Sequence, residues 1–188
     1  MASIFGHALT AVAIGSSFSK KIKSWKFWLL GILCSVIPDA DVIGFQFGIP
    51  YESFWGHRGF SHSILFAVLF GILITALFYS KNFFSKKGVL YMVFFTLCTV
   101  SHALLDGLTN GGLGVALFSP FDNTRHFLPW RPIQVSPIGA SRFFSHWGLR
   151  VIYSELYYIG IPALLYMVLM FLMKRFKNKD GAINKHKQ

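Results

Sequence analysis

The sequence predicts an all-α integral membrane protein of about five apolar helices, three of them full spans and two shorter. Three observations carry that fold class. First, 54% of the 188 residues are hydrophobic, only 13% are charged and 21 are phenylalanine, a balance unlike that of a soluble globular domain. Second, five apolar segments stand out, at roughly 4–18, 25–37, 61–79, 88–106 and 151–173. Third, all the lysines fall in three places, after the first, third and fifth segments. The chain is long enough for one compact bundle and carries too little polar sequence for a separate soluble domain. It is read as a single membrane domain over 1–176, followed by a basic tail at 177–188.

The last three segments, at about 20 residues each, are long enough to cross about 30 Å of hydrocarbon; the first two are shorter and need to tilt or pack against their neighbours. The opening MASIFGHALTAVAIGSSFSKK lacks the basic stretch that precedes the apolar run of a secretory signal, so it is read as mature structure. Pro38, Pro50, Pro120, Pro129, Pro132 and Pro137 lie between segments, with Gly107, Gly111, Gly112 and Gly114, and mark irregular connections. Cys34 and Cys98 are embedded in apolar runs and read as small buried hydrophobes.

Lysine placement sets the orientation. Lys20, Lys21, Lys23 and Lys26 follow segment one, Lys81, Lys86 and Lys87 follow segment three, and Lys174, Lys177, Lys179, Lys185 and Lys187 follow segment five. Five single crossings put these places on one side, which the positive-inside rule makes the cytoplasm, with the C-terminus on that side. The net charge of +11 is then topological, and no nucleic-acid partner is expected. The opposite connections, 38–60 and 107–150, contain only arginine as their basic residue.

That partition gathers the ionisable side chains at one level. His7 stands near the outer start of segment one, Asp39 and Asp41 just after segment two, His57 and His62 before segment three, and His102 and Asp106 at the end of segment four. In SHALLD, His102 and Asp106 are four apart and share one helix face, where they either ligate one metal or form a structural pair. In PDAD, Asp39 and Asp41 repel unless a cation or proton lies between them; the alternative is a solvated loop or helix cap. In HRGFSHS, Gly59 frees the backbone to turn and Ser61 caps a helix starting near His62. Arg58 suits a phosphate or carboxylate, or else reaches toward lipid headgroups.

His7, Asp39, Asp41, His57, His62, His102 and Asp106 exceed the needs of one tetrahedral site and suit one or two divalent metals, zinc first, with manganese or iron also compatible. Asp41, Arg58 and Ser61 are the candidate catalytic residues: Asp41 as proton acceptor from a metal-activated water, Arg58 for an anionic group, Ser61 beside the histidines. Arg58, Arg125, His126 and Arg131 are candidates for substrate binding, with anchoring to lipid phosphates as the alternative for the loop arginines. Glu155, near the start of an apolar run, requires a partner, with Arg150, His146 or a metal in reach. His186 belongs to the solvated tail.

These motifs together resemble the YdjM-like family of membrane-bound metal-dependent hydrolases, some of whose members are described as LexA-regulated. The likeness runs through GHALTA at 6–11, IPDAD at 37–41, HRGFSHS at 57–63, SHALLD at 101–106 and the SPF and LPW elements near 119–130. It implies a multi-pass protein of the bacterial inner membrane with a metal site and a hydrolase activity; the lysine placement is what puts that site on the non-cytoplasmic side. A fainter likeness is to the ligand order of zinc-dependent phospholipase C and single-strand nucleases, which tilts the expected substrate toward a phosphoester of a lipid or other amphiphile. The sequence departs from that order after Asp106, where no histidine follows closely and His146 has no acid four residues on. Two other function classes are a divalent-metal or proton transporter and a non-catalytic membrane assembly protein. The apolar stretches 64–78 and 89–95 hold little polarity beyond Thr75 and Tyr91, which disfavours an ion path.

Overall fold

The computed structural model describes residues 1–18 and 22–185, without side chains at 140–141 and 177–185. Among the described residues there are no strands, only the isolated bridges Thr109 to Ile133 and Val115 to His126. The helices are α1 (Ile4–Ser16), α2 (Trp25–Val36) with a 3-10 continuation (Ile37–Phe47), α3 (Ile64–Phe78), α4 (Lys86–Gly107), a single turn α5 (Ala140–Phe143), α6 (His146–Glu155) and α7 (Ile161–Lys185). A π-helical stretch, Leu156–Gly160, joins α6 to α7.

Five of these helices start at a serine. Ser3, Ser24, Ser63, Ser85 and Ser145 each accept a hydrogen bond from a backbone amide in the first turn, of Gly6, Phe27, Phe66, Gly88 and Trp147. The cap of α3 is therefore Ser63 and not Ser61: the intervening Phe60–His62 forms a 3-10 turn whose end leaves Ser63 extended at the cap position.

Among the described residues, three helical stretches are long and apolar enough to cross a membrane, Trp25–Phe47, Lys86–Gly107 and His146–Phe176; Ile4–Ser16 and Ile64–Phe78 are shorter. The tally of three long and two short matches the sequence reading, but the second and third segments trade places. The second gains length because Pro38 lies at the start of the 3-10 continuation, where its missing amide costs no bond, so the helix runs on instead of stopping. The third loses length because its first residues turn in to join the polar loop.

Central α4 packs against α1, α2 and α3. Their common core holds Phe27, Leu30, Cys34, Tyr91, Phe94, Phe95 and Cys98, with the Phe27 and Phe94 rings stacked at 3.9 Å. Both cysteines are buried free thiols. Around this core the outward residues are apolar too, and α7 faces outward over nearly all of 161–176, as a lipid-exposed helix must.

The lysine-rich connections meet at one end of the bundle. Lys174 on α7 donates to the carbonyls of Ser16 and Phe18, and Lys23 donates to Ser16 O at 3.2 Å, both satisfying the carbonyl end of α1. Lys20, Lys21, His186 and Lys187 lie outside the described residues, as do the side chains of Lys177, Lys179 and Lys185. In the expected basic tail, the α7 backbone continues helical to Lys185.

Candidate metal centre

At the opposite end from the lysines, α1, the α2 continuation, the HRGFSHS loop and α4 deliver seven ionisable side chains to one buried volume. His102 and Asp106 lie one turn apart on α4, as their spacing requires, and both are fully buried. Asp39, just beyond Pro38, enters from the α2 continuation and His62 from the 3-10 turn before α3. His7 stacks on the His102 ring, centroids 3.9 Å apart.

Asp39, His62, His102 and Asp106 each offer one ligand atom within 4.8 Å of all the others. His102 Nε2 lies 3.0 Å from His62 Nε2 and 3.3 Å from Asp39 Oδ1. His62 Nε2 lies 3.6 Å from Asp39 Oδ1 and 3.7 Å from Asp106 Oδ2. A tetrahedron with ligands at about 2.0–2.1 Å has edges of about 3.3 Å. Four of the six donor–donor edges, at 3.0–3.7 Å, thus lie near the spacing of ligands around one small divalent ion.

The hydrogen bonds behind the cluster point the same way. His102 Nδ1 lies 2.7 Å from the Ser35 carbonyl, which can only accept, so Nδ1 carries the proton and a neutral His102 turns its Nε2 lone pair inward. His62 Nδ1 faces Asp41 Oδ2 at 3.2 Å, which leaves its Nε2 aimed at the same point. Both Asp39 oxygens and both His7 nitrogens are buried with no hydrogen-bond partner; the Asp39 contacts to the two rings are close but not aligned as hydrogen bonds. Buried bare acceptors are costly, and a cation shared among them removes the cost. The cluster can hold a metal ion.

Asp41, His57 and His62 form a second candidate group. Its geometry is different. Asp41 Oδ1 accepts from His57 Nδ1 at 2.7 Å, a hydrogen-bond length too short for a ligand edge. Asp41 Oδ2 accepts from the Arg58 amide at 3.1 Å and the Ser61 hydroxyl at 2.6 Å. Asp41 is saturated by protein donors where Asp39 is bare, so the second group is built as support for His62. Burial holds the His57 imidazole below its ordinary range, against the pull of Asp41. Burial also opposes a charge on His62, yet the carboxylates of Asp106, Asp39 and Asp41 around its two nitrogens outweigh it and push that ring up to about 10.

Arg58 is placed differently from the sequence expectation. It is fully buried, with Nε donating to Asp106 Oδ2 at 2.9 Å, one terminal nitrogen to Gly111 O at 2.9 Å and the other to Thr109 Oγ1 at 3.0 Å. The guanidinium is directed at a candidate ligand and is closed off from solvent. Its backbone adopts the left-handed conformation, φ 64°, the turn that was expected of Gly59. Gly59 is needed for space instead, since a Cβ there would come within 2.3 Å of the Phe54 carbonyl. Gly112, at φ 92°, leaves room for the Arg58 fork, which a Cβ would meet at 2.7 Å.

The loop residues divide. Arg125 donates to the carbonyls of His57, Tyr51 and Ser53 at 2.6, 2.8 and 3.2 Å and clamps the HRGFSHS loop. His126 is exposed and bridges Val115 through its backbone; Arg131 is exposed over the Phe127 ring. Neither belongs to the metal groups. Glu155 finds a partner outside its expected set: it accepts from the Ser3 amide and, at 2.5 Å, from the Ser3 hydroxyl, which fixes it at the N-terminus of α1. His146 is exposed.

Three contributors escaped the sequence reading. The Ser35 carbonyl and the Ala2 amide, which donates to Asp106 Oδ1 at 2.7 Å, are backbone groups without a residue-type signal. Thr109, three residues after Asp106, was legible by spacing, because one further turn returns to the same side.

Residues 1–180 match the family described as YdjM inner membrane protein. The chain is similar to the inner membrane protein YbcI of Escherichia coli (strain K12), 35% identical over 175 residues, which cover 93% of this chain and all of that one. No solved structure matches it. On the extent of these matches, with the helical bundle and its three apolar spans, the chain belongs to the YdjM family of inner membrane proteins.

Proposed function

We propose that the chain is a membrane-embedded metal-dependent hydrolase that cleaves a phosphoester of a lipid or other amphiphile. The observation that carries this reading is the contrast between the bare oxygens of buried Asp39 and the saturated oxygens of Asp41, two residues away. Asp39, His62, His102 and Asp106 would hold one divalent ion, zinc by donor type, with His7 adjacent as a further ligand; Asp41 and His57 could carry a second only by giving up their mutual hydrogen bond. A bound ion supplies Lewis acidity toward a phosphoryl oxygen and toward water.

The chain's own residues do the rest. Ser35 O and Asp41 fix the two imidazoles with their Nε2 atoms inward. Arg58 holds Asp106 as carboxylate. Asp41 also borders the half-buried Ser61 hydroxyl, where it can take a proton from an incoming group. Arg131 and His126 remain on the exposed loop for an anionic group of the substrate, while Arg125 contributes by clamping the loop. The positive-inside rule supports reading the lysine end of the bundle, with the C-terminus, as cytoplasmic, and the candidate centre as lying toward the outer face of the inner membrane.

The test is turnover by the detergent-purified protein, supplied with zinc or manganese, on fluorogenic phosphoesters presented in micelles. Hydrolysis lost in His102→Ala and in Asp39→Asn is expected. Metal retained by the wild type with no turnover across the panel would refute the hydrolase and favour metal transport.

A further inference from the structure

Glu155 stands in the apolar span His146–Phe176 and is buried, although a carboxylate in such a segment is expensive and wants a reason. It belongs to neither candidate metal group. Among the described residues its hydrogen bonds go to Ser3 alone, whose amide and hydroxyl both donate to it, the hydroxyl at 2.5 Å. An ionised acid makes such bonds short and strong, and its two oxygens take both donors of one residue at once. The π-helical stretch Leu156–Gly160 follows immediately, a geometry that recurs at functional sites. Gly6 lets α1 lie flush against it: a Cβ there would come within 2.9 Å of Ile159 and 3.1 Å of the Glu155 carboxyl.

From Ser3 the clamp reaches the centre by two routes. The adjacent Ala2 donates its amide to Asp106 Oδ1 at 2.7 Å. Consecutive Cα atoms are about 3.8 Å apart, so slack at Ser3 passes to that bond almost undiminished. The Ser3 carbonyl accepts from the His7 amide at 3.1 Å, and the Ser3 hydroxyl caps α1 by accepting from the Gly6 amide at 3.3 Å. The first turn of α1, which carries His7 onto the His102 ring, is thereby fixed by the same residue. The segment is tied down at its other side as well: Met1 O accepts from the Ser136 amide at 2.9 Å, and Ala2 shares a buried apolar cluster with Ile133 and Ile159.

We propose that Glu155 is a positioning residue of the metal centre: through Ser3 it sets the Ala2 amide on Asp106 and the placement of His7 beside His102. The role rests on the reading that the centre holds a divalent ion. Removing a partner directly behind a ligand costs metal affinity about 10- to 100-fold. Glu155 stands one residue further back, so a loss of roughly 3- to 30-fold is expected.

Cobalt(II) binding to the full-length protein in detergent tests it, read by chelator competition for affinity and by visible absorption for ligand geometry. Glu155→Leu is expected to weaken binding by that factor and to alter the absorption spectrum. Glu155→Gln, which can accept from the Ser3 amide and donate to its hydroxyl, should restore most of both. Ser3→Ala, which removes one of the two donors, should move affinity and spectrum the same way by a smaller factor, and it carries the test where Glu155→Leu does not fold. Phe27→Leu, in the aromatic core, is the control for a merely structural effect: it should lower the melting temperature and leave cobalt binding as in the wild type. A folded Glu155→Leu or a Ser3→Ala with wild-type affinity and spectrum would overturn the role and leave the metal site standing. So would a Glu155→Gln no better than Glu155→Leu, or a Phe27→Leu that disturbs cobalt as much. Wild-type protein that binds no cobalt would refute the metal reading and this role with it.

Discussion

Replacing Arg58 tests whether its guanidinium is a buried brace or a substrate grip. Its three nitrogens reach Asp106, Gly111 and Thr109 at 2.9–3.0 Å, and none of the side chain is exposed. In Arg58→Ala, Asp106 keeps its negative charge in a buried place and loses the nearest of its neutralising partners, which also include the N-terminal ammonium at 3.8 Å and His62 at 3.7 Å. Removing one member of a buried pair costs about 3–5 kcal/mol. For a chain of this size each kcal/mol moves the melting temperature about 2–4 °C, so a drop of about 6–20 °C is expected. Arg58→Lys keeps the charge but reaches one acceptor in place of three, and should fall between the two. The assay is thermal unfolding in detergent. A melting temperature for Arg58→Ala within about 2 °C of the wild type would refute the brace and return Arg58 to the substrate.

The same geometry sets three other expectations. Asp39→Asn should abolish stoichiometric metal binding, whereas Asp41→Asn, acting through His62, should weaken it about 10- to 100-fold, measured by chelator competition. Metal binding should also depend on pH. The metal-free His62 keeps a second proton up to about pH 10, which an ion on Nε2 must displace, so apparent affinity should rise with pH, about tenfold per unit across pH 6–8, and fall on acidification. A cysteine placed at Trp55 should react with an impermeant thiol reagent from outside the cell and one at Phe84, in the connection between α3 and α4, only after the membrane is opened; the reverse pattern would invert the topology.

Much of the bundle was legible because lipid enforces a simple rule: long apolar runs are helices, and lysines mark one side. The histidine and aspartate level was legible for a related reason, since ionisable groups at helix ends are expensive and few, three of the seven acids standing there. What the sequence could not separate was Asp39 from Asp41. They are two residues apart and of one type, and only the folded loop reveals that His57, Ser61 and the Arg58 amide saturate one and not the other. The burial of Arg58 was hidden for a similar reason. An arginine beside two histidines at a membrane boundary looks outward-facing, and its burial depends on Thr109 and Gly111, about fifty residues later. The exchange of long and short helices between segments two and three turned on Pro38, a residue that ends most helices but begins a 3-10 turn here.

Asp39, His62, His102 and Asp106 are the residues proposed to hold a divalent ion. Elemental analysis of detergent-purified protein, wild type beside His62→Ala and His102→Ala, tests the proposal most directly. The expected result is about one zinc, manganese or iron per wild-type chain and almost none in either variant. A gently purified wild type without bound metal, or variants that keep it, would contradict the account.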